Sequence, residues 1–446
     1  MRRALLALLA IGLSACGREA SQTVVLTPDP RPQQQAVSSA APKTATLVQA
    51  TPLSAPSLTP QPSSPAPEPN PPASSPAPVI TLPACMATPQ PLINVKPPVP
   101  PRIISGRVGL FVGRLSSGTT AFKFDRATWL LPGAQFPLAS NFKTSVMYEL
   151  MRAVDAKRVK LTEKFNVTRA NQSYGRYPYD GSDIKTLAHA MIAWSDNTAT
   201  DILYRRIGLE ALHPLTDALG LCNTRLLLPT KAWWAAQAGY GGADFPKYGL
   251  VSATRKFALA PFETQLAMAK RLDKAAQGVS AETLRRALDF GYFAGRNGGV
   301  ETMSLIDRQI QNASTPQEWA RLLHHAFVTP GLTPESNAIF REVMSHGRGK
   351  SFLRVPYRYY GGKSGNTARV LTYSGYLETL SGDRVIYVYM NDSSQNLLTR
   401  DETPQAFKFI NDALKLVMRP DDLVRSKPAT TKTTVPLAKP PASPKP

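Results

Sequence analysis

The sequence predicts an α+β fold in which an antiparallel sheet is flanked by helices. Two strand-like runs near residue 110 are separated by a Ser-Ser-Gly turn at 116–118. Two more, near residue 380, are separated by a Ser-Gly-Asp turn at 381–383. Apolar residues recur at helical spacing between the two hairpins. Strands at both ends of a folded region with helices between them indicate one sheet covered by helices.

The elements follow one another in chain order. GRVGLFVGRL and TTAFKFDRATWL are the first two strands, and FPLASNFKTSVMYELMRAVD leads into a helix. A second helix is predicted from Asp183 to Trp194, with Ser182 as its N-cap. LTYSGYLETL and DRVIYVYM form the last hairpin, and ETPQAFKFINDALKLVMR closes the body as an amphipathic helix.

The two ends of the chain predict export and anchoring. Residues 1–15 combine a basic start with an apolar run too short to span a bilayer, which is typical of a signal peptide. The word LSAC, ending at Cys16, resembles a bacterial lipobox, and the resemblance implies a lipid on that thiol. We therefore expect an extracytoplasmic protein of the cell envelope, anchored to a bacterial membrane.

Composition divides the rest of the chain. Residues 16–102 and 421–446 are rich in Pro and poor in apolar periodicity, so we expect a disordered tether and a basic disordered tail. The folded domain is predicted over residues 103–420. The net charge of +21 is spread without a basic block interleaved with aromatics, so we expect no nucleic-acid partner.

Cysteine and histidine usage gives no sign of a metal enzyme. The chain has no C-x-x-C pair, no H-E-x-x-H and no two His at i, i+4, so we expect neither metal nor cofactor. Cys85 and Cys222 either pair in an oxidising compartment or remain free thiols. Both alternatives stay open at the level of sequence.

Three short motifs occur in one order along the predicted domain. They are S-x-x-K at 140–143, S-D-N at 195–197 and K-S-G at 363–365. Each alone has a plain alternative, such as a solvated helix cation, a helix cap or an edge-strand charge. The three motifs and several longer sequence segments resemble the class A β-lactamases. These segments are FPLASNFK, MIAWSDNTATDILYRRIG, STPQEWARLL and GGKSG. The resemblance implies an α/β/α sandwich with a mostly helical subdomain.

The residues themselves explain part of the chemistry. Ser140 at the start of a helix has Lys143 one turn away, where a neutral amine can take the hydroxyl proton. A second cation, Lys363, lowers the pKa of Lys143 if the two approach.

The resemblance implies the remaining roles. The backbone N–H groups of Ser140 and Asn366 form an oxyanion hole, and Ser195 relays a proton to the leaving nitrogen. Asn197 holds the substrate amide. Lys363 and Ser364, in the motif that ends at Gly365, bind the substrate carboxylate.

One part of the family pattern is missing. Class A enzymes carry a Glu after S-D-N that activates the deacylating water, whereas no carboxylate occurs here from Ala218 to Ala243. An insertion is expected within about 226–313. Counting back from Pro316 makes Glu301 the candidate base, with Asp307 a weaker one and a solvated loop Glu the plain alternative.

Three functions follow from these observations. The first is a monomeric serine β-lactamase that hydrolyses the β-lactam amide through an acyl-enzyme on Ser140. The second is a penicillin-binding D-alanyl-D-alanine carboxypeptidase-like protein with slow deacylation, acting on peptidoglycan stem peptides. The third is a non-catalytic, wall-binding lipoprotein.

Overall fold

The computed structural model of the chain describes residues 85–175, 178–293, 299–396 and 399–424. The predicted signal peptide, the predicted lipidation site Cys16, most of the predicted tether and residues 425–446 of the predicted tail lie outside these ranges. No helix within them is long and apolar enough to cross a membrane.

Five long or medium strands and one short strand build the main sheet. The strands of the described ranges are, in chain order, β1 (Ile93–Asn94), β2 (Arg107–Leu115), β3 (Phe124–Leu130), β4 (Phe136–Pro137), β5 (Lys164–Phe165), β6 (Ser182–Asp183), β7 (Ala313–Ser314), β8 (Tyr359–Asn366), β9 (Leu371–Glu378) and β10 (Arg384–Asp392). The main sheet has the order β1-β3-β2-β10-β9-β8, and β4–β7 and β5–β6 form two small pairs.

Thirteen helices are found in the same ranges. They are α1 (Lys143–Asp155), α2 (Ile184–Ala193), α3 (Asn197–Ile207), α4 (His213–Ala218), α5 (Thr230–Gln237), α6 (Leu250–Leu259), α7 (Phe262–Gln277), α8 (Ala281–Phe293), α9 (Gly299–Ile310), α10 (Pro316–Val328), α11 (Pro334–Ser345), α12 (Thr403–Val417) and α13 (Pro420–Val424). Short 3₁₀ turns cover Ala139–Phe142, Gly242–Asp244, Lys350–Phe352 and Thr399–Glu402.

The sheet separates two hydrophobic cores. Side chains of β10 alternate between them, because successive residues of a strand point to opposite faces. Ile386 and Val388 join the core formed with α1, α10 and the other central helices. Val385 and Tyr387 join the core formed with α12. The predicted α/β/α sandwich is therefore confirmed.

The sheet and one cap differ in detail from prediction. Both predicted hairpins form, as the antiparallel pairs β2–β3 and β9–β10. The sheet is mixed, because the short edge strand β1 pairs parallel to β3. Ser182 is not the N-cap of α2: it lies in β6, and the carboxylate of Asp183 accepts the capping hydrogen bond from the Thr186 N–H.

The segment 226–313 is helical and its two ends meet. It contains α5 to α9. The Arg225 N–H donates to Ala313 O at 2.8 Å, and the Ala313 N–H donates to Arg225 O at 2.9 Å. Asn312 Oδ1 also accepts the N–H groups of Leu227 and Leu228. Because its ends are joined in this way, the helical segment leaves and re-enters the domain at one place.

Cys85 and Cys222 form a disulfide that spans 137 residues of sequence. It ties the chain just before β1 to the turn that follows α4. Of the two alternatives that the sequence leaves open, the structure has the paired one.

Candidate active site

Ser140 lies in the 3₁₀ turn that precedes α1. Ala139, the residue before it, has a φ of +45°, a left-handed conformation that is uncommon for a residue with a side chain. Its N–H donates to Gln311 Oε1 at 3.0 Å. The Leu138 N–H donates to Asn312 O at 2.8 Å. The end of the helical segment 226–313 therefore holds the turn that carries Ser140.

Strand β8 passes directly against this turn. A Cβ atom on Gly365 would lie 2.5 Å from the Ser140 nitrogen and 2.7 Å from Leu138 O, so only glycine fits. The Thr367 N–H bonds to Val370 O, and N–H directions alternate along an antiparallel ladder. The N–H of Asn366 consequently points to the free edge of the sheet. This direction suits the oxyanion role that the resemblance implies for Asn366.

Lys143 begins α1 and is fully buried. Its ammonium nitrogen donates to Ser195 O at 2.7 Å, to Ser195 Oγ at 3.3 Å and to Asn197 Oδ1 at 2.8 Å. The described contacts include no hydrogen bond between Lys143 Nζ and Ser140 Oγ. The amine is therefore engaged by the S-D-N motif in this structure.

Ser195 Oγ links the two motif lysines. Lys363 Nζ donates to Ser195 Oγ at 2.9 Å and to Ser364 O at 2.7 Å. The φ of Ser195 is +59°, so this residue is also in the left-handed region. Such a conformation costs on the order of 1–3 kcal/mol and is concentrated at functional sites. The hydroxyl is thus held where it can pass a proton between two amines.

Burial controls the protonation of both lysines. It lowers the pKa of Lys143 to about 7, and the charge of Arg348 acts in the same direction against the carboxylates of Asp196 and Asp201. Burial also lowers the pKa of Lys363, assisted by the charges of Lys143 and Arg348. A neutral amine beside Ser195 is therefore accessible near neutral pH, as a general base requires.

Asn197 is fixed on both sides. Its amide nitrogen donates to Tyr174 O at 2.7 Å, while its oxygen accepts from Lys143. Asp196 does not face the cleft as a free carboxylate, since it caps α3 by accepting the Ala199 N–H at 2.7 Å. Burial raises the pKa of Asp196 to about 6. The motif thus supplies two polar groups to the cluster and one helix cap.

Thr230 begins α5 and lies beside the cluster formed by Lys143, Ser195 and Asn197. Its hydroxyl donates to Asn197 O at 3.1 Å and to the buried carboxylate of Asp201. The N–H groups of Thr230 and Lys231 donate to the same carboxylate at 2.6 and 2.7 Å. Thr230 therefore contributes a hydroxyl at this point of the cluster, beside a carboxylate that is already engaged by two backbone N–H groups.

The two candidate bases lie elsewhere. Glu301, in the first turn of α9, is 79% exposed and forms an ion pair with Arg369 at 2.7 Å. Among the described contacts it shares none with Lys143 or Ser195. Asp307 is buried and accepts hydrogen bonds from Gln237 and Thr367, and burial raises its pKa to about 6. The structure brings neither carboxylate into hydrogen-bond contact with the motif lysines.

Arg348 is a site residue that the sequence analysis missed. It lies between Gly347 and Gly349, outside the three motifs. A Cβ atom on Gly347 would lie 1.6 Å from Gly362 O, so the loop packs against β8 beside Lys363. Two glycines flanking an arginine were the available signal of a close backbone approach.

The motif geometry agrees with a comparison of the whole domain. The model of the beta-lactamase enzyme family matches residues 105–418. The chain belongs to the β-lactamase enzyme family. No curated protein is significantly similar to it.

Solved structures of the family resemble this β-lactamase-family domain. A beta-lactamase from Sphaerobacter thermophilus is 18% identical, with 70% of this chain and 89% of that chain covered and a TM-score of 0.45. PBP-A is 17% identical, with 71% and 91% covered and a TM-score of 0.45. A beta lactamase from Xanthomonas campestris pv. campestris is 15% identical, with 70% and 93% covered and a TM-score of 0.45.

Proposed function

We propose that the protein is a serine hydrolase of the β-lactamase type that opens the β-lactam amide through an acyl-enzyme on Ser140. One observation carries the proposal: Ser195 Oγ lies within hydrogen-bond distance of two buried amines, Lys143 and Lys363. An amine whose pKa is lowered to about 7 accepts a hydroxyl proton at neutral pH.

Acylation then proceeds in two steps. Ser140 Oγ bonds to the lactam carbonyl carbon while its proton passes to the neutral amine of Lys143. The negative charge on the carbonyl oxygen is met by the N–H groups of Ser140 and Asn366. The C–N bond then breaks, and the nitrogen receives a proton through Ser195. The protein is left as an ester on Ser140, with Lys143 neutral again.

The anionic group of the substrate is bound by cations. The guanidinium of Arg348 acts on the same region as Lys363 Nζ, since its charge lowers the pKa of both Lys363 and Lys143. A substrate carboxylate beside Lys363 raises the pKa of this amine towards its ordinary value. Substrate binding therefore keeps the charge on Lys363 that holds the carboxylate.

Turnover of the chromogenic cephalosporin nitrocefin tests the proposal. We expect steady hydrolysis that is lost in Ser140→Ala, while circular dichroism shows an unchanged fold. Lys143→Ala should block acylation in the same way. Turnover equal to that of the Ser140→Ala control would refute the hydrolase. Absence of labelling by a fluorescent penicillin would favour a non-catalytic, wall-binding protein.

A second candidate function rests on the carboxylates near the cluster. Asp196 and Asp201, the two that act on Lys143, are engaged by backbone N–H groups, and Thr230 stands beside Asn197. Without a base for water, the acyl-enzyme persists, as in a penicillin-binding D-alanyl-D-alanine carboxypeptidase. Mass spectrometry of the penicillin-treated protein separates the candidates: an adduct lasting minutes to hours, with D-alanine released from a stem peptide, supports the second.

The cellular location is proposed from the first residues of the chain. We infer that Cys16 carries a lipid that anchors the domain outside the cytoplasm. The disulfide between Cys85 and Cys222 supports export, because such bonds persist in oxidising compartments. Metabolic labelling with an alkyne fatty acid should mark the wild-type chain and not Cys16→Ser. Equal labelling of both chains would exclude this anchor.

A further inference from the structure

Three metal-binding side chains converge on the surface formed by α2 and α11. His189 lies on α2, Glu342 lies on α11, and His346 ends α11 as its C-cap. The distance from Glu342 Oε2 to His189 Nε2 is 3.1 Å, and that from Glu342 Oε1 to His346 Nε2 is 2.9 Å. The ligand atoms of all three residues lie within 4.8 Å of one another.

The helices impose this convergence. Glu342 and His346 are four residues apart, so they lie on one face of α11. α2 packs against α11 and brings His189 to that face. The rings of His189 and His346 are 5.5 Å apart and inclined at 61°, which leaves both Nε2 atoms directed at the carboxylate between them. The cluster therefore lies on two helices that pack against each other at the surface of the domain.

The donor set is that of a borderline divalent cation. Two imidazole nitrogens and one carboxylate oxygen suit Zn²⁺, Co²⁺, Ni²⁺ or Cu²⁺. In a tetrahedral zinc site the ligand atoms are about 3.3 Å apart, close to the separations seen here. We propose that His189, Glu342 and His346 form a divalent metal site, of the zinc class, that joins α2 to α11.

The same contacts also describe a plain hydrogen-bonded surface triad. In that arrangement each imidazole donates an N–H to Glu342 and no ion is bound. The side chains of His189 and His346 are 32% and 52% exposed, so water and ions reach them. The cation Lys185 lies close enough to His189 to oppose a second positive charge. A direct binding measurement therefore has to separate the two arrangements.

A metal at this site would connect to the Ser140 cluster through two short chain segments. α2 ends at Ala193 and leads directly into Ser195, while His346 is followed by Gly347 and Arg348. The N-H···O contact of Arg348 with Trp194 O, at 3.4 Å, already joins these two chain segments. Fixing α2 to α11 would hold the segments that present Ser195 and Arg348.

Competition with a chromogenic zinc chelator tests the site on the untagged full chain. We expect one equivalent of Zn²⁺ per chain, with affinity reduced at least about tenfold in His189→Ala and in His346→Ala, because each variant removes one of three ligands. The midpoint of thermal unfolding should rise with Zn²⁺ in the wild type, since an ion that binds only the folded state stabilises it.

His213→Ala is the matched control. His213 also pairs with a carboxylate four residues away, Asp217, but the part of the chain that the structure describes offers it no third ligand. This variant should bind Zn²⁺ like the wild type. Glu342→Gln removes the charged ligand while keeping the shape, and should weaken binding as the histidine variants do. Failure of the wild type to bind, or equal binding by His189→Ala and His346→Ala, would overturn the proposal.

Discussion

Gln311 holds the backbone of Ala139, the residue immediately before the proposed nucleophile, through a hydrogen bond of 3.0 Å from the Ala139 N–H to Gln311 Oε1. Both residues are fully buried. Gln311→Ala leaves the Ala139 N–H without a partner and lowers the free energy of unfolding by about 1–3 kcal/mol. We also expect slower acylation of Ser140, because the left-handed turn is no longer fixed.

Gln309→Ala is the control for this prediction. Gln309 accepts a hydrogen bond from Thr254 Oγ1 at 2.7 Å, two residues from Gln311, and contacts no residue of the Ser140 turn in the described structure. It should lose stability and retain its rate of labelling by a fluorescent penicillin. If Gln311→Ala is acylated as fast as Gln309→Ala, the helical segment 226–313 does not position the nucleophile.

Gly365→Ala tests the close approach of β8 to Ser140. The added Cβ would meet backbone atoms, Ser140 N and Leu138 O, which cannot swing aside as a side chain can. A displacement of the nucleophile by about 1 Å costs on the order of 10²-fold in rate. We expect a loss of this size in the second-order rate of penicillin labelling. Gly278→Ala, where the nearest atom would be 3.5 Å away, should label normally.

The pH dependence of acylation follows from Lys143. With a pKa of about 7, about one amine in ten is neutral at pH 6 and about nine in ten at pH 8. The base is the neutral form, so the acylation rate should rise with pH through about 7. Stopped-flow labelling over pH 5.5–9 measures this rise. A rate independent of pH in that range would exclude Lys143 as the base.

Substitution of Arg348 tests the same rise of the acylation rate with pH. Its positive charge lowers the pKa of Lys143 and of Lys363. Arg348→Ala should therefore move the rising limb of the acylation profile to higher pH. Arg354→Ala, which removes a cation that does not act on Lys143, should leave the limb in place. A limb that stays fixed in Arg348→Ala would show that this charge does not reach the amine.

The sequence was a good guide wherever structure is set locally. Alternating apolar residues on either side of Gly118 and Gly382 predict two hairpins, and both form. The spacing of apolar residues predicts α1 and α12, and both form. The parallel strand β1 was missed, because two residues at an edge carry no periodicity. The prediction of Ser182 as the cap is wrong because Ser182 and Asp183 are both good capping residues, and sequence alone does not rank two neighbours.

The site was predictable from sequence where its residues lie in recognisable sequence motifs. The three motifs meet, as the contacts of Lys143 and Lys363 with Ser195 show. Arg348 and Thr230 join the site only through contacts between distant parts of the chain. Gly347 packs against Gly362 beside Arg348, and Thr230 forms hydrogen bonds with Asp201. Glu301 was placed by counting back along the chain. Counting residues back from Pro316 assumes a loop of constant length, and the helical segment 226–313 changes that length.

Glu301→Gln tests whether Glu301 is the base that activates the deacylating water. The carboxylate is largely solvated although Arg369 is mostly buried, and an ion pair screened by water on one side contributes about 0–1 kcal/mol. We expect the rate at which the acyl-enzyme on Ser140 is hydrolysed to stay within about twofold of wild type, because a base must reach the attacking water. Time-resolved mass spectrometry of the penicilloyl adduct measures that rate. Arg369→Ala breaks the same ion pair and controls for its loss. A tenfold longer-lived adduct in Glu301→Gln, with a normal one in Arg369→Ala, would restore Glu301 as the base.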